Sequence, residues 1–243
     1  MDRSTNAGLL ALALAVLLPC GLGWAQPPPA AAFPELDRAL ESVFAEISAE
    51  QARFTESPQP QDKEWVKRRL AHLYDVDQKA LGAFIKIRPA EWSPAAREYY
   101  THKLAQRIIA LERADTAELK ELLKLYRWFT VSEFGEKADM HAWVLVQHSD
   151  RDPAFQQEVL AILATLYPSG ETNASNYANL YDRVAMNAGK PQRYGTQGSC
   201  AAPGKWEPSK VEDPAGLDQR RASLGLPAMT AYLQSFNHLK YCP

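Results

Sequence analysis

Cysteine is scarce in this sequence, with three in 243 residues, and no two are spaced as the C-x-x-C of a redox or zinc motif. Neither sign of charge is in excess: 27 Lys and Arg face 29 Asp and Glu, for a net charge of −2. That near-neutrality argues against a general nucleic-acid binder, which needs a strong basic surplus. It argues equally against a polybasic membrane-surface protein. The sequence also has no phosphate-cradling glycine loop, no H-E-x-x-H and no G-x-S-x-G. Past the first two dozen residues there is no apolar run long enough to cross a bilayer.

The N-terminus carries the strongest local signal. Arg3 precedes the apolar run Ala7 to Leu18, too short for a comfortable span but the length of a signal-peptide core. Pro19 and Gly21 break it, and Gly23-Trp24-Ala25 supplies small residues at the two positions a signal peptidase reads. Residues 1–25 are therefore expected to be a signal peptide, cleaved between Ala25 and Gln26. An uncleaved anchor helix and a lipoprotein on Cys20 are the alternatives; Pro19 directly before Cys20 suits a lipobox poorly. The expected destination is the periplasm or the exterior. Cys200 and Cys242 would then remain as a pair in an oxidising compartment. A bridge closing about 41 residues would contribute roughly 3–4 kcal/mol in the chain-entropy picture; two free thiols are the alternative.

Residues 26–34, rich in Pro and Ala, read as a flexible spacer. From 35 to 243 a single helical domain is expected. Leu36, Leu40, Val43, Phe44 and Ile47 recur at helical spacing. A second helix runs from about Asp62 to Ile87 and is stopped by Pro89. Ser93-Pro94 opens a third as N-cap and first-turn proline, ending near Arg113. Asp115-Thr116 reads as a cap that restarts the pattern. Further helices are expected over about 137–148, 153–167, 175–188 and within 216–236. The fold class is all-α, a bundle-like domain of about seven helices, with room for a small hairpin or extended segment near 192–197. Residues 198–214 read as loop.

Two stretches hold polar residues where the surroundings look buried. In the first, Gln147, His148 and Asp150 follow Val144-Leu145-Val146. His141 and His148 share a helix face, but their rise of about 10 Å is too long for one metal ion, and no metal or cofactor is expected. A lone His beside an acid suits proton transfer, since its pKa lies near neutrality and a carboxylate can orient it. The alternative is helix capping by His148 and by Asp150 or Asp152. In the second stretch, Asp182 and Arg183 interrupt an apolar helix, and Gln192, Tyr194, Thr196 and Gln197 lie on a Gly-bounded segment able to approach a ligand. Here the alternative is a polar loop pinned by an Asp–Arg pair. Asp75 and Asp77 do not share a helix face, which makes a paired-carboxylate role poor.

These stretches resemble an uncharacterised bacterial family, domain of unknown function 6624. Trp143 to Asp150 is similar to its W-x-L-x-Q-H-A-D, and Asp182-Arg183-Val184 with Gly189 to Gln197 is similar to its D-R-V…G-x-P-Q-x-Y-G-T-Q. The likeness runs from about Asp77 to Tyr232. Ser149 replaces the usual Ala, and Tyr126 to Phe129 stands where a Gly-Trp-Pro turn is usual. The resemblance implies a shared fold and a shared pocket, and assigns no activity.

Three functions are consistent with these residues. One is a metal-independent envelope hydrolase or transferase, with His148 as acid or base, Asp150 or Asp182 orienting it, and Arg183, Gln192, Tyr194 and Gln197 holding a small polar or anionic substrate. The second is a binding module for such a ligand or an envelope component, without chemistry. The third is a polar core network serving packing alone. Whether the chain is an enzyme, and its oligomeric state, are not legible.

Overall fold

A computed structural model describes residues 33–86 and 92–238. The leader, Pro89 and Cys242 lie outside the described residues, as does almost all of the Pro/Ala spacer. Its last residue, Pro34, already begins the first helix.

The main chain is mostly helical. Helices α1 (Pro34–Gln51) and α2 (Lys63–Lys86) lead to α3 (Pro94–Tyr126), 33 residues long. A single turn, α4 (Val131–Phe134), precedes α5 (Glu136–Gln147), α6 (Pro153–Leu166) and α7 (Ala174–Asn187). Strands β1 (Gly198–Ala202) and β2 (Lys205–Pro208) form a two-stranded antiparallel hairpin. Helices α8 (Leu217–Ser223) and α9 (Met229–His238) follow. None of the described helices is long and apolar enough to cross a membrane.

Local chemistry sets several helix starts. Ser93 Oγ accepts from Ala96 N ahead of Pro94, Asp152 Oδ1 accepts from Phe155 N ahead of Pro153, and Asn173 Oδ1 accepts from Ser175 N. Each satisfies a donor that the first turn leaves unpaired.

Two expectations are corrected. The break expected between Arg113 and Asp115 does not occur, and α3 runs through it. Leu111, Leu119 and Leu122 continue one buried stripe, and Thr116 Oγ1 bonds back to Glu112 O at 2.6 Å instead of capping. The hairpin also lies later than expected, in residues read as loop. Segment 192–197 contributes only an isolated bridge from Gln192 to Val211, because Gly195 turns the chain at φ +68°. Gly198 instead starts β1, where a Cβ would stand 2.1 Å from Glu207 O and 2.4 Å from the Trp206 ring. The chain passes so close there that only glycine fits.

Helix α5 is the centre of the bundle. Glu136 and Lys137 begin it in solvent, but Ala142, Trp143, Val144, Leu145 and Val146 are all buried, so its second half requires neighbours all round. Helices α2, α3, α6 and α7 supply them. A second apolar cluster joins α1 to the first half of α3 through Leu36, Leu40, Tyr99, Tyr100 and Leu104.

Asp139 ties the start of α5 to Trp128 and to the start of α7. It accepts from Trp128 Nε1 at 2.7 Å, Thr172 Oγ1 at 2.6 Å, Asn176 Nδ2 at 2.9 Å and Asn173 N at 3.2 Å. Burial raises its pKa, and these four donors oppose the rise. Asp139→Ala orphans all four at once, and the expected loss is roughly 3 kcal/mol in urea melts. A loss below about 1 kcal/mol would contradict the role given to this carboxylate.

Candidate functional site

Helix α5 ends where its sequence turns polar. His148 is its C-cap, with its N–H on Val144 O. Its Nδ1 lies 2.7 Å from Asp77 Oδ1 of α2, and the two side chains are 10 % and 8 % exposed. Gln78 Nε2 donates to the other Asp77 oxygen at 2.8 Å. Burial pushes the imidazole down, but the charge of Asp77 and the hydrogen bond to it outweigh burial, and the pKa stands above the ordinary 6.5. With Nδ1–H donated to Asp77, Nε2 is the nitrogen left to take or give a proton.

Helix α3 adds two acids to the same neighbourhood. Burial lifts both Glu112 and Asp115 to about 7. Glu112 is pulled down by His148 and Arg183 and pushed up by Asp77 and Asp150, so it feels every charge of the cluster. Asp115 is raised further by Asp77, Glu118 and Glu112, and Arg69 opposes. Three carboxyls beside one imidazole cannot all ionise cheaply in a buried setting.

Contrary to expectation, Asp150 does not orient His148; it pairs with Arg183 of α7. Arg183 Nε reaches Asp150 Oδ1 at 2.8 Å and Nη2 bonds Oδ2. Asn187 Nδ2 and Gln156 Nε2 also donate to Asp150, at 3.0 and 3.1 Å. Burial would raise the Asp150 pKa; Arg183 reverses this and holds it below 3.8. Gln156 also donates to Val146 O and Gln147 O, fixing the end of α5. The fourth arm is Gln197, whose Oε1 lies 3.4 Å from Arg183 Nη1. The first polar stretch thus meets Arg183 and Gln197 of the second.

The rest of the second stretch does other work. Asp182 faces away from Arg183 and accepts from the backbone N–H groups of Arg193, Tyr194 and Thr196 at 2.7, 3.0 and 2.9 Å, and from Thr196 Oγ1 at 2.9 Å. It curls this segment and cannot also hold the imidazole. Gln192 is fully buried and spent on backbone: Nε2 donates to Gln197 O and Ser209 O, and Oε1 accepts from Gln197 N. The Tyr194 ring packs edge-on against Tyr177 and Tyr181, while its carbonyl accepts from the buried Arg221.

Gln147 and Trp143, one turn apart on α5, are 1 % and 2 % exposed. Gln147 Nε2 and Oε1 and Trp143 Nε1 have no hydrogen-bond partner. His141 stacks on Tyr74 with ring centres 4.6 Å apart. Among the described residues no group of three or more His, Cys, Asp or Glu is placed to hold a metal ion.

Asp77, Glu112 and Asp115 are not among the expected site residues, yet Asp77 and Asp115 leave a trace in the sequence. Asp77 falls on the stripe Val66, Leu70, Leu73, Ala80, and Asp115 on the stripe Leu111, Leu119, Leu122. An acid at a position where the period demands a core residue is a buried charge, and buried charges need partners.

A family model described as a family of unknown function (DUF6624) matches residues 68–240. No curated protein and no solved structure matches the chain.

The raised acids set a direction for stability against pH. Folded Glu112 and Asp115 keep their protons to about 7, whereas their ordinary values are 4.5 and 3.8. The folded state therefore binds more protons between those limits, and this contribution falls as pH rises toward 7. His148, with its raised pKa, acts in the same sense: its contribution is full below 6.5 and lost as pH passes the folded value. Asp115→Asn removes one of these titrations. The melting temperature of the variant minus that of the wild type should climb between about pH 5 and pH 8. Parallel melting curves across that range would contradict a buried, protonated Asp115.

Proposed function

The chain belongs to the DUF6624 family, whose description names no activity, and from its side chains we propose a hydrolase or transferase in which His148 moves the proton. The observation that carries this reading is the buried His148–Asp77 pair at 2.7 Å. A carboxylate on Nδ1–H fixes the tautomer, orients the ring and stabilises the imidazolium that forms when Nε2 accepts a proton. The attacking water or hydroxyl gives its proton to Nε2, and the same nitrogen returns it to the leaving group. Glu112, with a pKa near 7, is a second proton carrier within electrostatic reach. Arg183, steered by Asp150, is the cation for a small polar or anionic substrate, and Gln197 borders it. In this reading the chemistry is carried by side chains without a metal.

We further propose that the protein works outside the cytoplasm, cleaved after Ala25 and bridged from Cys200 to Cys242. A structural reading is favoured for one part of the network only. Asp182 and Gln192 direct most of their bonds to backbone, as residues that shape a loop do.

The test is a screen of the purified protein against chromogenic ester, amide, phosphoester and glycoside substrates, followed by variants at His148 and Asp77. His148→Ala should lower kcat by about 10²–10⁴-fold. Asp77→Asn should lower it less and should move the acidic limb of the kcat/KM profile to lower pH, since Asp77 raises the imidazole pKa. A folded His148→Ala variant with wild-type turnover overturns the assignment. Dialysis against a chelator should leave the rate unchanged.

Export has its own check. Intact-mass analysis of protein recovered from the envelope of an expressing bacterium should show a chain starting at Gln26 and lacking two thiol hydrogens. Recovery of the uncleaved, reduced chain would contradict it.

A further inference from the structure

We infer that Trp143 and Gln147 form a peptide-recognising element beside His148, so that the substrate of the proposed reaction is a peptide, held by the N–H and C=O of one residue. This rests on the acid–base role proposed above.

Several polar groups around the end of α5 are paired with one another. Asp150, Arg183, Gln156 and Asn187 bond one another. Buried without a partner on α5 are His141 Nδ1, which lies earlier in the helix, and three atoms on two residues one turn apart: Trp143 Nε1, Gln147 Nε2 and Gln147 Oε1. Native interiors rarely keep such groups unmatched, and each calls for a partner. The three lie on the stripe of α5 that also carries Asp139, at four-residue spacing. Asp139 bonds Asn176 at the start of α7, and Asp150 bonds Arg183 and Asn187 toward its end. The stripe between those ties therefore looks toward α7 and Arg183, one residue from the imidazole. Asp150 is 33 % exposed at its side chain and Glu112 is half-buried.

Chemistry selects the class of partner. A glutamine side chain presents one acceptor and one donor side by side, and its complement is the N–H and C=O of one residue of an extended peptide, which point the same way. That N–H would donate to Oε1, and the C=O, which belongs to the next peptide unit, would accept from Nε2 and from the indole N–H. An ester leaves Oε1 facing no donor, and a carboxylate sets an acceptor against it. A buried polar group left unmatched in this way discriminates by roughly tenfold to a hundredfold or more. Two donors on the carbonyl also favour attack on its carbon. Water then bonds to that carbon and gives a proton to His148 Nε2. The C–N bond breaks, His148 returns the proton to nitrogen, and an amine and a carboxylic acid leave.

The experiment is NMR of the ¹⁵N-labelled chain. The probes are N-acetylalanine N-methylamide and its analogue with both amide N–H groups replaced by ester oxygen. The indole signal is assigned with Trp143→Phe, and the carboxamide signal with Gln147→Leu. Expected are shifts of both signals with the amide, and binding at least tenfold tighter than that of the diester. Gln147→Met, of similar size but without the Oε1 acceptor, should lose that preference while keeping a folded spectrum. Equal response to both probes, or no response of these two signals, overturns the inference. So does a persistent nuclear Overhauser contact from the Gln147 amide to water that the probe does not disturb, because a resident water then fills the role. Amide preference without turnover by the wild type would leave this inference standing and sink the acid–base reading. Turnover of other substrates that depends on His148, without amide preference, would do the reverse.

Discussion

A helix buried on all sides over much of its length has little solvent face on which to put its polar residues. That constraint organises this protein. Helix α5 carries Asp139, Gln147 and the cap His148 into the bundle centre along with its aliphatic and aromatic residues. Each charged or titratable group brought inside must be met by another helix, or its desolvation goes uncompensated. Asp77 of α2 meets His148, Arg183 of α7 meets Asp150, and Asn176 with Trp128 meets Asp139. The packing of the central helices and the assembly of the site are thus one event.

The electrostatics follow from the same crowding. Asp77 accepts from Gln78 and lies against His148. Burial lifts Glu112 and Asp115 to about 7, and the charge on Asp77 adds to the rise. Asp150 shifts the opposite way because a guanidinium faces it. Acids of similar intrinsic strength are held at different protonation states by their neighbours, which is the condition for moving protons at neutral pH.

Much of the fold was legible along the chain. Apolar spacing places α7, and with the signals at Ser93-Pro94 and Asp152-Pro153 it places α3 and α6, because a cap is a bond between residues two or three apart. The same local logic failed at Asp115-Thr116, where cap-forming residues stand mid-helix. A cap signal wins only if the apolar stripe stops, and here Leu119 and Leu122 carry it on. His148, Asp150, Arg183 and Gln197 were singled out because polar residues interrupt apolar runs, and they do lie in one neighbourhood. The partner of His148 was assigned wrongly because Asp77 lies 71 residues away, while Asp150 is two residues along. Nearness in sequence is a poor guide across a helix end, where successive side chains diverge by about 100°.

By itself the sequence determined the all-α class, most helix limits and which polar residues fall among apolar ones. These depend on backbone geometry and the spacing of neighbours, and both are local. Only the tertiary structure decided who pairs with whom. It set Asp77 on His148, spent Asp182 and Gln192 on the 193–197 backbone, and left Trp143 and Gln147 with unmatched polar atoms. A pairing across helices depends on crossing angle and rotation about each axis. Those are settled by the packing of the whole core, and no short window of residues contains them.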